Sequence, residues 1–139
     1  MSVDTLPIFQ AIKTKMSFLG DRARVLAENI ANADTPDYKA KDLKPLDFDE
    51  VLRQQTSAGT GSGMRATHER HLKGGGARMS AFEIEKANDG HEGLNGNTVS
   101  LQDQMVKAGD TQMQYEMATS LYRKSLNMIR IAIGKGGGS

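Results

Sequence analysis

The chain of 139 residues has no cysteine, no tryptophan, three prolines and few aromatics of any kind, with Phe, Trp and Tyr together at 5%. The missing cysteines exclude disulfide frameworks, thiolate zinc sites and thiol nucleophiles together, and leave the redox compartment open. No run of 18 apolar residues occurs, so no membrane-spanning helix is expected. The opening Met1 to Pro7 lacks the basic start, apolar stretch and small-residue cleavage site of a secretory signal, so export with a cleaved signal peptide is not expected. Charge of one sign is missing too: 18 Lys and Arg against 17 Asp and Glu leave a net +1, too little to draw the chain to nucleic acid or an anionic membrane. An apolar share of 37% with 15 glycines is thin for a compact core and argues against a large enzyme pocket.

What is present falls into three segments: 4–33, 34–99 and 100–134. In the first, Leu6, Phe9, Ile12, Met16, Leu19, Ala23, Leu26 and Ile30 recur in steps of three and four. That spacing predicts an amphipathic helix with a narrow seam, capped by Asp4 or Thr5 and with Pro7 harmless in its first turn. The helix carries two asparagines, Asn29 and Asn32, and is stopped by Thr35-Pro36, because proline disfavours helix at the residue before it.

The third segment shows the same alternation through Leu101, Met105, Ala108, Gln112, Tyr115, Thr119, Tyr122, Leu126, Ile129 and Ile133. Ser100 and Asp103 have the form of a capping box, and Gly134 fits a helix stop. A flanking row of Met113, Met117, Leu121, Met128 and Ala132 widens the apolar face beyond what one partner helix covers. Flexible thioethers suit a surface that meets several neighbours, although core packing in a bundle explains the row equally well.

Between these helices, residues 53 to 97 hold nine of the 15 glycines and are expected to be a loose, flexible connection. Two apolar patches interrupt the polar stretch, Leu46 to Leu52 and Ala81 to Ile84, each consistent with a brief helix or strand. The fold expected is therefore all-α: a long antiparallel two-helix coiled-coil hairpin with a glycine-rich connection. Long thin hairpins bury little surface, so its stability is expected to draw on other chains.

As chemistry the sequence offers little. His68-Glu69-Arg70-His71 lacks the two-histidine helical spacing of a zinc protease and lies among glycines, and His91-Glu92 falls in a turn-rich stretch. The acidic scatter from Asp34 to Glu50 lacks the spacing and central glycine of a calcium loop. No nucleophile, base and orienting carboxylate form a constellation, so no catalytic residue, cofactor or metal is expected. A small metal-dependent enzyme built on His68 and His71 is the rival from another class, and a cytoplasmic coiled-coil adaptor is a second.

The stretch Asn29-Ile30-Ala31-Asn32-Ala33-Asp34-Thr35-Pro36-Asp37-Tyr38-Lys39-Ala40 resembles the signature of the bacterial flagellar axial proteins, the rod and hook family. Gly96-Asn97-Thr98-Val99, with Leu101 and the helix carrying Met105, Gln112, Tyr115, Tyr122 and Leu126, is similar to the C-terminal part of the same family. Larger family members insert a β-rich domain between the helices, whereas the short connection here resembles the small proximal-rod members. Of those, the continuation through Leu43 looks unlike the FlgC type, which stands as the alternative. One departure is Asp37, where the signature most often has glycine. If the position is left-handed, aspartate tolerates it better than most residues.

The resemblance implies a structural subunit of the proximal rod of the flagellar basal body, polymerising helically as part of the drive shaft and export tube. It implies an assembly motif at Asn29, Asn32, Thr35, Pro36 and Tyr38. It also implies a coiled-coil seam of Ile12, Met16, Leu19, Leu26 and Ile30 against Leu101, Met105, Tyr115, Tyr122, Leu126 and Ile129. The partners implied are further copies of the chain, FlgC and other rod proteins, the FliE adaptor and the flagellar export gate. The location implied is the basal-body rod in the periplasm, reached as an unfolded chain by type III export.

Overall fold

A computed structural model describes residues 6–57, 82–87, 90 and 92–134. The element order is α1 (Pro7–Ala31), β1 (Lys41–Leu43), α2 (Phe48–Ser57), β2 (Ile84–Lys86) and α3 (Leu101–Gly134). Leu6 is the extended N-cap of α1 and offers no side-chain cap, while Pro7 takes the first helical position, where its lost N–H has no helical partner to miss. The expected caps Asp4 and Thr5 lie outside the described residues. At the other end the Asn32 N–H bonds the carbonyls of Glu28 (3.1 Å) and Asn29 (3.2 Å), and the chain leaves the helix one turn before Pro36. α2 starts on Asp47, whose Oδ1 accepts from the N–H groups of Asp49 (3.0 Å) and Glu50 (3.2 Å). Ser100 Oγ accepts the Asp103 N–H at the start of α3 (3.4 Å).

α1 and α3 run antiparallel. Phe9 meets Tyr122 edge-to-face, with ring centroids 5.3 Å apart, near the start of α1. Asn29 meets Gln104 near its end. The expectation of an all-α chain needs correction, because β1 and β2 pair antiparallel, Lys41 opposite Lys86, Asp42 opposite Glu85 and Leu43 opposite Ile84. The two apolar patches in the polar connection supply what the sheet and α2 need to dock. Phe82, just before β2, stacks edge-to-face on Phe18 of α1 (5.2 Å). Leu43 and Leu46 close over the cluster of Phe18, Leu19 and Val25. α1 is therefore buried on two sides, and its row Ala11, Phe18 and Val25 serves the sheet side that a single seam leaves out. Residues 53–57 of the glycine-rich stretch also belong to a helix, α2, rather than to a loose connection.

The buried strip of α3 differs from the expected seam by one residue along half its length. Gln104 and Thr111 are fully buried, whereas Leu101 and Met105 are exposed at 47% and 61%. Gln104 and Thr111 thus take the places expected for Met105 and Gln112, while further on Ala118 and Ser125 share the half-buried strip with the expected Thr119 and Leu126. The other half of the seam, Ala108, Tyr122 and Ile129, is half-buried, and Tyr115 lies just past it with 38% exposure. The physical reason is that α3 is apolar on more than one side, so periodicity alone does not say which side meets α1. On α1, Ile12, Leu19 and Leu26 are buried, Met16 and Ile30 half-buried, and Ala23 exposed. No helix among the described residues is long and apolar enough to cross a membrane.

Candidate functional site: the helix junction

Where α1 ends, the chain reverses over the start of α3, and a compact set of polar side chains holds the two together. Asn29 is the centre and is wholly buried. Its amide donates to the Lys41 carbonyl (2.6 Å) and to Gln104 Oε1 (2.8 Å). Its oxygen accepts from the Lys41 N–H (3.0 Å) and the Tyr38 hydroxyl (3.2 Å). One side chain thus joins α1 to α3, to the first residue of β1 and to the signature tyrosine. An asparagine has two donors and one two-lone-pair acceptor, and all of them are used.

Asn97 does the same from the other direction. Its amide donates to the carbonyls of Asn32 (2.9 Å), Ala33 (2.9 Å) and Thr35 (2.7 Å), groups that the end of α1 leaves without helical partners. Its oxygen accepts the Val99 N–H (2.7 Å). Asn32 is more local: its amide reaches back to the Glu28 carbonyl (2.8 Å) and its oxygen accepts from the Thr35 hydroxyl (3.2 Å). Pro36 is exposed and acts through backbone restriction alone.

Bonds from the backbone N–H groups of both segments complete the junction. The Thr98 N–H donates to the Tyr38 carbonyl (3.1 Å), and the Ala40 N–H donates to Thr98 Oγ1 (3.0 Å). Asp37 takes φ of 58°, the left-handed conformation, and its N–H donates to the Asn95 carbonyl (3.0 Å). Gly96 faces it with φ of 75°, and a Cβ there would collide with the Asp37 carboxylate. Lys39 Nζ donates to Glu92 Oε1 and to the Gly96 carbonyl, both at 3.0 Å. On the far side, Arg22 forks onto Asp42, 3.0 Å to Oδ1 and 3.1 Å to Oδ2, fixing β1 to the middle of α1.

Burial, and secondarily the Glu28 carboxylate, pushes the Tyr38 hydroxyl above the ordinary tyrosine value, so it stays a neutral donor to Asn29. The junction contains no buried side-chain polar atom without a partner among the described residues. It has the character of a rigid corner rather than a reaction centre. Among the described residues no group of three His, Asp or Glu side chains is placed to hold a metal. The histidines of the enzyme rival, His68 and His71, and also His91, lie outside the described residues.

The sequence motif at Asn29, Asn32, Thr35, Pro36 and Tyr38 is thus gathered in one place. Asn97 and Thr98, which share that place, stand in the sequence within the C-terminal family resemblance but without a contact to the motif, and Gln104 stands there without a role. The signal for Gln104 was its register, one residue before Met105 and on the stripe that carries Thr111 and Ala118.

No protein-family model matches the chain. It is 30% identical over 136 residues to the flagellar basal body rod protein FlgB of Agrobacterium fabrum, covering 95% of this chain and 96% of that one. It is 32% identical over 114 residues to FlgB of Cereibacter sphaeroides, covering 81% and 82%. It is 28% identical over 106 residues to FlgB of Escherichia coli K12, covering 76% and 77%. With relatives of that name matched over most of their length, the chain belongs to the FlgB family of flagellar basal body rod proteins.

Proposed function

We propose that the chain is a structural subunit of the proximal rod of the flagellar basal body, polymerising helically into a tube that serves as drive shaft and export conduit. The supporting observation is the outer face of α3. Val106 is 71% exposed, Met113 61%, Met117 66%, Leu121 49%, Met128 54% and Ile131 64%. Isolated exposed apolar residues are ordinary, but a contiguous helical row of this kind marks an interaction surface. A shallow apolar groove of about 420 Å³ lies beside it, between Ile12, Lys15, Phe48, Gln114, Ala118 and the Met117–Leu121 ridge.

In this reading the seam between α1 and α3 is a short antiparallel coiled coil, with the junction at Asn29 and Asn97 fixing its geometry and the α3 row meeting neighbouring subunits. The neighbours are further copies of the chain, FlgC and other rod proteins, with the FliE adaptor and the export gate at the base. The rod lies in the periplasm, and the chain reaches it by type III export. The function is mechanical, not enzymatic. The named relatives are FlgB proteins, which favours this reading over the FlgC alternative.

The test is a double substitution on the exposed row, Met117→Glu with Leu121→Glu. The purified variant should keep its helical signal, because both side chains are largely outside the core, and should be missing from isolated basal bodies. Full incorporation and normal motility would overturn the reading.

A further inference from the structure

The exposed stripe of α3 is nearly a palindrome. From Met117 outward, Met113 and Leu121 lie four residues to either side, Asp110 and Lys124 seven, and Val106 and Met128 eleven. All of these residues are exposed, so the stripe places apolar against apolar and acid against base under a two-fold rotation through Met117. Off this stripe, charge along the helix is not paired residue by residue about Met117 but is divided in the same sense between its two halves. The first half has Asp103, Asp110 and Glu116 against Lys107, and the second has Arg123, Lys124, Arg130 and no acid.

The helix dipole explains acid early and base late only in the first and last turns, and Asp110, Glu116, Arg123 and Lys124 lie well inside α3. None of Arg123, Lys124 and Arg130 has an ion-pair partner among the described residues. Asp110 and Glu116 accept from the amides of Gln114 (2.8 Å) and Gln112 (3.1 Å) on their own helix. A parallel, in-register pairing of two such faces would set Asp110 on Asp110 and Lys124 on Lys124. An antiparallel pairing centred on Met117 sets each on its opposite.

From this we infer that the outer face of α3 binds the same face of a second copy, antiparallel, about a two-fold axis at Met117. Such an isologous contact uses the same patch on both molecules and closes on itself. A closed pair covers the apolar row and cannot extend, so it competes with the polymer contacts of the proposed rod and must open before the subunit joins them. It does not depend on the rod reading, which is judged separately by basal-body incorporation.

The native chain has no cysteine, so single cysteines report the geometry cleanly. On oxidation of the purified full chain, Met117→Cys should form a disulfide dimer by itself. Met128→Cys should not, yet it should cross-link when mixed with Val106→Cys chains. By sedimentation, Asp110→Lys or Lys124→Asp alone should weaken dimerisation at least about tenfold, and the two together should restore it. A monomer at every concentration reached overturns the pairing, as does self-cross-linking of Met128→Cys as fast as that of Met117→Cys. So does a charge-swapped double variant no better than its parents.

Discussion

α1 and α3 lie side by side in one hairpin, yet they are finished to different degrees. α1 is enclosed by its own chain: Phe9, Ala11, Ile12, Phe18, Leu19, Val25, Leu26 and Asn29 are buried along its length. α3 is longer, at 34 residues against 25, and buries only Gln104 and Thr111 to the same degree. The difference divides the molecule into a part that the monomer encloses and a part that its own chain leaves uncovered, the part proposed above to meet other molecules. Apolar side chains inside the first contribute folding energy, whereas those on the second contribute mainly once a partner arrives.

The sharpest way to break that division is to cut into α1. Phe18→Ala removes the ring that Phe82, Leu43 and Val25 pack on, and should cost about 3–5 kcal/mol in urea unfolding. A cost below about 1 kcal/mol would mean that the sheet side of α1 is not a core. Asn29→Ala comes next, at about 2–4 kcal/mol, because it strands Gln104 Oε1, the Tyr38 hydroxyl and both backbone groups of Lys41 away from their partner. Its distinguishing sign should be lost protection of the Lys41 N–H in hydrogen exchange while the middle of α1 stays protected.

A smaller effect follows from Tyr38. Its folded-state hydroxyl titrates above its unfolded one, so the neutral form is favoured by folding. The stabilisation is complete below the ordinary tyrosine range near 10 and is lost as pH rises through the folded value. Unfolding free energy should therefore decline more steeply above about pH 10 in the parent chain than in Tyr38→Phe. Parallel curves would deny the burial. The smallest effect belongs to α3: Met117→Ala should shift monomer stability by less than about 0.5 kcal/mol, since the side chain is 66% exposed. A large loss there would erase the contrast between the two helices.

Both long helices were legible because periodicity is a local signal; the proline restriction at Thr35-Pro36 marked the right neighbourhood for the first stop, but α1 already ends at Ala31, before that pair. The oddity of Asn29, a polar residue on an apolar helix, was legible too. What Asn29 touches was not legible, since Gln104 and Lys41 reach it by tertiary folding. The α3 register was half legible: Ala108, Tyr122 and Ile129 lie where their spacing puts them, but Met105 reads as core and is exposed, while Gln104 reads as surface and is buried. A helix with an apolar outer row defeats the rule that the greasiest side faces inward. The three-residue strands are too short to alternate visibly, and the Phe82 patch read as a brief helix or strand without showing that it returns to α1.

The meeting of Asp37 and Gly96 makes the order of mutation matter. Gly96 is held to glycine by its positive φ and also by the aspartate that stands where a Cβ would go. With Asp37 in place, alanine at 96 must displace the carboxylate; with glycine at 37, only the backbone strain remains. Gly96→Ala should accordingly be much milder in an Asp37→Gly background than in the parent. The two positions form an epistatic pair, and a lineage that reaches aspartate at 37 becomes bound to the glycine across from it.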